Sequence, residues 1–191
     1  MVNEYPWQVG VVSKRSSFVW CGASLISNQW VLTAAHCTAG KQASGLQVLL
    51  GEHDYNLETE ANTIRMGISL IKDHPLYDDI TTDYDFSLLR LITALDFFLH
   101  PQIRPICLPV VDENTYTGAL AKVTGWGTTT SGGSTSNILR EVDVTVLSNR
   151  ACQEDYSYPS SWITEQMMCA NVPGGGKDAC QGDSGDRTTL L

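Results

Sequence analysis

The sequence predicts an all-β protein, built as a barrel or a sandwich of short strands. Apolar runs of four to six residues alternate with turn residues along most of the chain. No apolar pattern of helical period persists beyond about one turn, except weakly at 148–156. Charged residues make up 17% of the 191 positions and glycines number 16. This balance is more typical of strands and turns than of long surface helices.

Eight apolar runs are the predicted strands, and turn residues separate each from the next. In chain order they cover residues 9–12, 23–26, 30–34, 46–50, 68–71, 86–91, 121–124 and 142–147. One short helix is predicted at 148–156, where the Ser148 hydroxyl suits an N-cap. Many short strands with turns between them favour a barrel or sandwich over other all-β arrangements.

The chain, residues 1–191, is predicted to be a single domain with two halves, because all-β domains of roughly this length often form one unit. Pro101, Pro105 and Pro109 mark an extended segment, since proline cannot donate to a strand ladder. We therefore expect a first barrel at 1–100, a crossover at 101–111, and a second half at 112–191 with three or four strands.

Composition also excludes some functions. The net charge is −9, so nucleic acid is not an expected partner, because binding phosphates needs clustered Lys and Arg. No apolar run approaches transmembrane length, so no membrane partner is expected. None of the cysteines has C-x-x-C spacing, so no metal site is expected and disulfides in a secreted protein are favoured. The six are Cys21, Cys37, Cys107, Cys152, Cys169 and Cys180.

Three polar residues have the chemistry of acyl transfer. A serine hydroxyl is a poor nucleophile at neutral pH, and a histidine within hydrogen-bond reach can take its proton. A buried aspartate fixes the histidine tautomer and stabilises the imidazolium. We expect His36 to be the base, Asp85 its orienting partner and Ser184 the nucleophile. Gly182 has no side chain, so its N–H and that of Ser184 are the expected oxyanion-hole donors.

Each of these residues is weak evidence alone, and two alternatives stay open. Asp83 lies two positions before Asp85 and competes for the same role. Asp85 is preferred because it directly precedes the apolar strand at 86–91, which can bury its carboxylate. The tetrapeptide at 182–185, Gly-Asp-Ser-Gly, could also be an ordinary turn, and the joint occurrence of the three residues is what carries the interpretation.

Taken together, the motifs resemble those of the trypsin and chymotrypsin family of serine proteases. They are Tyr-Pro-Trp-Gln-Val at 5–9, Cys-Gly-Ala-Ser-Leu-Ile at 21–26, Thr-Ala-Ala-His-Cys at 33–37, Asp-Phe-Ser-Leu-Leu at 85–89, Arg-Pro-Ile-Cys-Leu-Pro at 104–109, Gly-Trp-Gly at 125–127 and Asp-Ala-Cys-Gln-Gly-Asp-Ser-Gly at 178–185. The resemblance implies two antiparallel six-stranded β-barrels with the active site in the cleft between them. It implies hydrolysis of peptide bonds through an acyl-enzyme.

The resemblance also implies specificity and partners. Asp178 stands where trypsin-like members place an acid at the base of the substrate pocket, so cleavage after Lys or Arg is expected. The alternative is an ordinary loop aspartate beside three glycines. Protein or peptide substrates and protein inhibitors are the expected partners. No cofactor is expected, although some members bind calcium at the position of the acidic loop that contains Glu52, Glu58 and Glu60.

Disulfides follow from the same resemblance. It pairs Cys21 with Cys37 and Cys152 with Cys169, and it leaves Cys107 and Cys180 without partners in this chain. Ala121 stands at the position of a further cysteine of the family.

The chain departs from the family at both ends, and we expect it to be truncated there. No Ile-Val-Gly-Gly-like start supplies an ammonium group for Asp183, and Asp186 replaces the glycine that normally follows Gly185. The second barrel is therefore expected to be incomplete, and the chain inactive as it stands. The alternative to a secreted protease is a non-catalytic protease-like binding module or a truncated product.

Overall fold

The computed structural model describes residues 2–57, 62–109, 115–128, 133–155, 159 and 162–172, and the backbone alone of 188–190. The regular secondary structure of this part of the chain is mostly strand, with one α-helix and two short 3₁₀ helices. None of its helices is long and apolar enough to cross a membrane.

Six strands close into an antiparallel barrel in the first half of the chain. Their order around the barrel is β1-β2-β3-β6-β5-β4. Their bounds are β1 Gln8–Ser13, β2 Cys21–Leu25, β3 Trp30–Thr33, β4 Leu46–Leu50, β5 Ile64–Asp73 and β6 Ser87–Leu91. Closure leaves no free strand edge, so the backbone groups pair around the whole barrel.

The barrel interior is filled by aliphatic side chains. Val9, Val48 and Leu89 are among those with no exposed surface. Gly10 on β1 permits a close approach, because a Cβ there would lie 2.8 Å from a Val19 methyl. The apolar side chains of the barrel strands thus form one large cluster inside the barrel, while Val12, Val19 and Leu49 form a second buried cluster with Trp126.

A second sheet of four strands lies in the other half. Its order is β10-β7-β8-β9. The strands are β7 Leu120–Gly125, β8 Arg140–Leu147, β9 Cys169–Asn171 and β10 Thr188–Leu190, with helix α1 Asn149–Asp155 between β8 and β9. The prediction of an all-β fold is confirmed, with one closed six-stranded barrel and, among the described residues, a partial second sheet. The boundaries at 100 and 111 stay a prediction.

The predicted helix is confirmed, whereas β5 is longer than predicted. Ser148 accepts a hydrogen bond from the N–H of Ala151 at 3.1 Å, as expected of an N-cap. The sequence predicted a strand only at 68–71, but β5 runs over ten residues, Ile64–Asp73. Most of its side chains are partly or fully exposed, so an apolar run marks its centre alone. Three or four strands were expected in the second half, but no positions were predicted for the three-residue strands β9 and β10.

Polar and apolar contacts join the two halves. The Thr124 hydroxyl on β7 donates to Gln8 Oε1 on β1 at 2.7 Å, and both residues are buried. Trp126, which is fully buried, donates its indole N–H to the carbonyl of His53 at 3.0 Å. The second sheet is thereby fixed against the first barrel, beside β1 and β4.

Candidate active site

The pairing of β3 with β6 brings two candidate side chains to one edge of the barrel. Thr33, the last residue of β3, lies opposite Ser87, the first residue of β6. His36 follows Thr33 by three positions and Asp85 precedes Ser87 by two. Because the strands are antiparallel, both side chains fall at the same end of the sheet.

A short 3₁₀ helix, Ala35–Cys37, carries the histidine. Its last residue forms a disulfide with Cys21 on β2, with the two Cα atoms 6.3 Å apart. The buried Thr38 hydroxyl, just after the turn, donates to Asp73 Oδ1 at 2.6 Å. The backbone around His36 is therefore tied to two different strands of the barrel.

Asp85 holds His36 through both of its carboxylate oxygens. Oδ1 accepts the backbone N–H of His36 at 2.8 Å. Oδ2 lies 2.6 Å from the imidazole Nδ1. An ionised carboxylate can only accept hydrogen bonds, so Nδ1 carries a proton and donates it to Oδ2. The neutral imidazole then has its lone pair on Nε2.

The two groups shift each other's protonation. The hydrogen bond with Asp85 raises the pKa of His36 above its ordinary value, and burial opposes this only in part. Burial raises the pKa of the Asp85 carboxyl, but hydrogen bonds from the His36 side chain and from the His36 and Ala35 backbone together lower it below its ordinary value. Asp85 therefore stays ionised near neutral pH while His36 remains titratable.

The solvent exposure of the two side chains is consistent with an ionised Asp85 and a titratable His36. The Asp85 side chain is 22% exposed and that of His36 is 39% exposed. The carboxylate is thus shielded on the side of the barrel, whereas the imidazole stays accessible to a reacting group. A pair held in this way can accept a proton at Nε2 and stabilise the resulting imidazolium.

Comparison with known proteins gives the family. The sequence model described as Trypsin matches residues 1–186. The chain belongs to the trypsin family. Trypsin-family members are serine proteases, and the two motifs that contain His36 and Asp85 lie within the matched range.

Individual relatives agree over almost the whole chain. Trypsin-1 of Astacus astacus is 39% identical over 190 residues, which cover 97% of this chain and 77% of that protein. Trypsin 5G1 of Aedes aegypti is 38% identical, covering 96% of this chain and 66% of that protein. Serine proteinase stubble of Drosophila melanogaster is 36% identical over 96% of this chain, which spans 24% of that longer protein.

Several residues that the trypsin-family motifs single out have no described position. Ser184, Gly182, Asp178, Asp183 and Cys180 all lie outside the described residues. Of the predicted catalytic residues, the described part of the structure brings together His36 and Asp85. The approach of the serine, the oxyanion hole and the substrate pocket stay predictions.

Both disulfides that the resemblance implies are present. Cys21 is bonded to Cys37, and Cys152 on α1 is bonded to Cys169 on β9. Among the described cysteines, Cys107 alone is free, and it is exposed. The side chains of Cys21, His36 and Cys37 lie close enough for a metal. Because both sulfurs are in the disulfide, they offer no thiolate to bind one.

In the described part of the acidic loop, carboxylates accept hydrogen bonds from within the protein. The Thr63 hydroxyl donates to Glu52 Oε2 at 3.1 Å. Asp54 is buried, and its Oδ1 accepts the Asn137 side-chain amide at 2.7 Å, across to the second half. Calcium requires six to eight oxygen ligands, and whether this loop binds one stays a prediction. Two further acids of the loop, Glu58 and Glu60, lie outside the described residues.

Sequence reasoning missed two polar contacts around the site. Thr38 with Asp73 supports the turn that carries His36. Asp83, considered only as a rival of Asp85, instead accepts a hydrogen bond from Thr164 in the second half. No local signal could have found either pair, because their members are 35 and 81 positions apart.

Proposed function

We propose that the chain is the catalytic domain of a secreted serine endopeptidase that cleaves peptide bonds after Lys or Arg. One observation carries this proposal: in a trypsin-family chain, an ionised Asp85 holds His36 with Nδ1 protonated and Nε2 available as a base. The motif at 182–185 supplies a serine in the sequence context that the family uses for its nucleophile.

The proposed reaction proceeds in two halves. Ser184 Oγ attacks the substrate carbonyl while His36 Nε2 takes its proton, and the backbone N–H groups of Gly182 and Ser184 stabilise the oxyanion. The intermediate collapses to an acyl-enzyme as His36 gives the proton to the leaving amine. Water then attacks the ester with His36 again as base, releasing the acid and restoring the serine. Asp85 stays ionised and stabilises the imidazolium throughout.

Specificity in this proposal comes from Asp178. A carboxylate at the base of a substrate pocket pairs with the cationic end of a Lys or Arg side chain, and charge-assisted hydrogen bonds are roughly twice as strong as neutral ones. Substrates are therefore proteins or peptides with Lys or Arg at the cleavage site, and protein inhibitors that present Lys or Arg would compete for the same pocket. The chemistry requires neither metal nor cofactor.

Secretion is supported by the cysteines. Two disulfides lie in the described part of the chain, and disulfides persist in oxidising compartments. The negative net charge of −9 disfavours nucleic acid as a partner.

The test is hydrolysis of an arginyl or lysyl ester by the purified protein after activation, whereas the 191-residue chain by itself is expected to be inactive. We expect cleavage, inactivation by a serine-directed phosphonylating reagent, and a loss of about 10⁶ in turnover in Ser184→Ala. Ser17→Ala is the matched control, because Ser17 is exposed and far from the motif at 182–185 in sequence. Asp178→Ser should lose the preference for basic residues while still reacting with the reagent.

Two outcomes would contradict the proposal. Activated wild-type protein that cleaves no arginyl or lysyl ester and does not react with the reagent would be a non-catalytic module or a truncated product of the same fold. Cleavage that is retained in Ser184→Ala would assign the activity to a contaminant or to another nucleophile.

A further inference from the structure

Asp83 and Thr164 form a hydrogen bond between the two halves of the molecule. The Thr164 hydroxyl donates to Asp83 Oδ1 at 2.7 Å, and the contact is partly buried. Asp83 lies two positions before Asp85, in the loop between β5 and β6. Thr164 lies in the segment between α1 and β9. The loop that carries the orienting aspartate is thus attached directly to the second half.

The backbone around Asp83 is strained. Thr82 and Tyr84, its two neighbours, have φ angles of +56° and +52°. This left-handed region is rare for residues other than glycine, and rarer still for a β-branched residue such as threonine. Such conformations persist only where the surrounding structure holds them. Asp83 Oδ1 also accepts the N–H of Tyr84 at 3.1 Å, so one carboxylate oxygen secures the strained segment on both sides.

Thr164 is itself held firmly by helix α1. The side-chain amide of Asn149 donates to the carbonyls of Thr164 and Met167 at 2.8 and 2.9 Å. The helix is joined to β9 by the disulfide between Cys152 and Cys169. The threonine hydroxyl is therefore a donor whose position the second half has already fixed.

Aromatic contacts hold the other side of the same segment. The rings of Tyr84 and His74 are stacked, with their centroids 4.8 Å apart and their planes at 5°. The centroids of the His74 and Phe86 rings are 4.5 Å apart. This stack anchors the segment to the first barrel. The hydrogen bond to Thr164 is its anchor to the second half.

We propose that Asp83 and Thr164 are positioning residues, whose hydrogen bond holds the strained segment at 82–85 and keeps the Asp85 carboxylate on His36. The inference rests on the proposed function and adds a role for residues that do not touch the substrate. It follows that breaking the bond shifts Asp85 relative to the imidazole. A displacement of about 1 Å in a catalytic group can cost about 10²-fold in rate.

The kinetic test separates turnover from binding. In the purified, activated protein we expect Thr164→Val and Asp83→Ala to lower kcat for an arginyl ester by about tenfold, with KM changed less than about threefold. Thr164→Ser retains the hydroxyl, and Asp83→Asn retains an acceptor oxygen, so both should recover most of the wild-type kcat. Thr63→Val is the matched control, because it removes a hydroxyl that donates to the Glu52 carboxylate, in the loop before β5.

A second measurement does not depend on activity. A proton in a short hydrogen bond between Nδ1 and a carboxylate gives a resonance far downfield, so the His36 Nδ1–H signal reports the contact with Asp85 directly. We expect it to move upfield or broaden in Thr164→Val and Asp83→Ala, and to stay at its wild-type position in Thr164→Ser and Thr63→Val.

The outcomes distinguish this inference from the proposed function. An active wild-type protein whose kcat and His36 resonance are both unchanged in Thr164→Val would overturn the inference alone. An inactive wild-type protein would overturn the proposed function, while the resonance would still decide the positioning role. If Thr164→Val does not fold, Asp83→Ala against Asp83→Asn makes the same comparison from the other partner.

Discussion

Asp85 contacts His36 twice, with Oδ1 on the backbone N–H and Oδ2 on the imidazole Nδ1. A single residue thus fixes both the position of the turn and the orientation of the ring. Both contacts require an acceptor oxygen. One carboxylate oxygen accepts the backbone N–H, and the other accepts the imidazole N–H. An asparagine can satisfy only one of them.

Asp85→Asn is therefore expected to fold but to lose about 10⁴ in kcat, because the amide presents a donor to Nδ1 and favours the wrong tautomer. The measurement is ester hydrolysis together with a urea unfolding curve. Asp79→Asn is the matched control, since it removes the same charge from an exposed position of the same loop. Equal activity in the two variants would show that Asp85 does not orient the base.

The acid limb of the pH–rate profile is the second prediction. His36 acts as a base only when neutral, and the hydrogen bond with Asp85 raises the pKa of His36 above 6.5. The specificity constant kcat/KM should therefore rise with pH, with its midpoint above pH 6.5. Asp85→Asn should move this midpoint to lower pH. A midpoint that is the same in both proteins would mean that another group titrates.

The same shift fixes the sign of a stability effect. Because folding raises the pKa of His36, the stabilisation of its protonated form is fully present below pH 6.5 and is lost as the pH rises through the folded-state value. For Asp85, folding lowers the pKa, so the stabilisation of its ionised form is fully present above the ordinary pKa of 3.8. It is lost as the pH falls through the lower pKa of the folded state.

The disulfide beside His36 gives a third prediction. Cys21 and Cys37 are separated by 16 positions, and closing a loop of that length stabilises a protein by about 3 kcal/mol in the chain-entropy account. The double variant Cys21→Ala, Cys37→Ala should lose about this much free energy of unfolding in urea, and activity as well, since Cys37 is in the turn that carries the imidazole. Cys107→Ala, at an exposed free thiol, should change stability by less than about 0.5 kcal/mol.

The fourth prediction concerns the contact between the halves. Thr124→Val keeps the shape of the side chain but removes the hydroxyl that donates to Gln8 Oε1. Both residues are buried, so the loss should cost about 1–3 kcal/mol in free energy of unfolding. Thr145→Val, at a half-buried position of β8, should cost less than about 0.5 kcal/mol. Equal effects of the two variants would contradict a special role for the buried pair.

Strand positions were predictable where burial is continuous along the chain. In β1, β2 and β4 almost every residue is buried, so a run of apolar letters marks the strand. In β5 the exposed Arg65 and Lys72 lie among partly buried residues. The apolar run therefore covers only the centre of the strand, at 68–71. The three-residue strand β9 contains only one buried residue, so it has no pattern to detect.

The sequence by itself determined the family, the all-β architecture and the identity of His36 and Asp85 as candidates, because each depends on residue types within short motifs. Only the tertiary structure places the Asp85 carboxylate on His36 and the Asp83 carboxylate on Thr164. Both are aspartates in one loop, and the sequence favours Asp85 only because the apolar strand at 86–91 directly follows it. The register of β3 against β6 turns Asp85 toward His36, while the packing of the second half supplies Thr164 to Asp83. Contacts between residues far apart in sequence form only when the chain folds, so local sequence patterns do not reveal them.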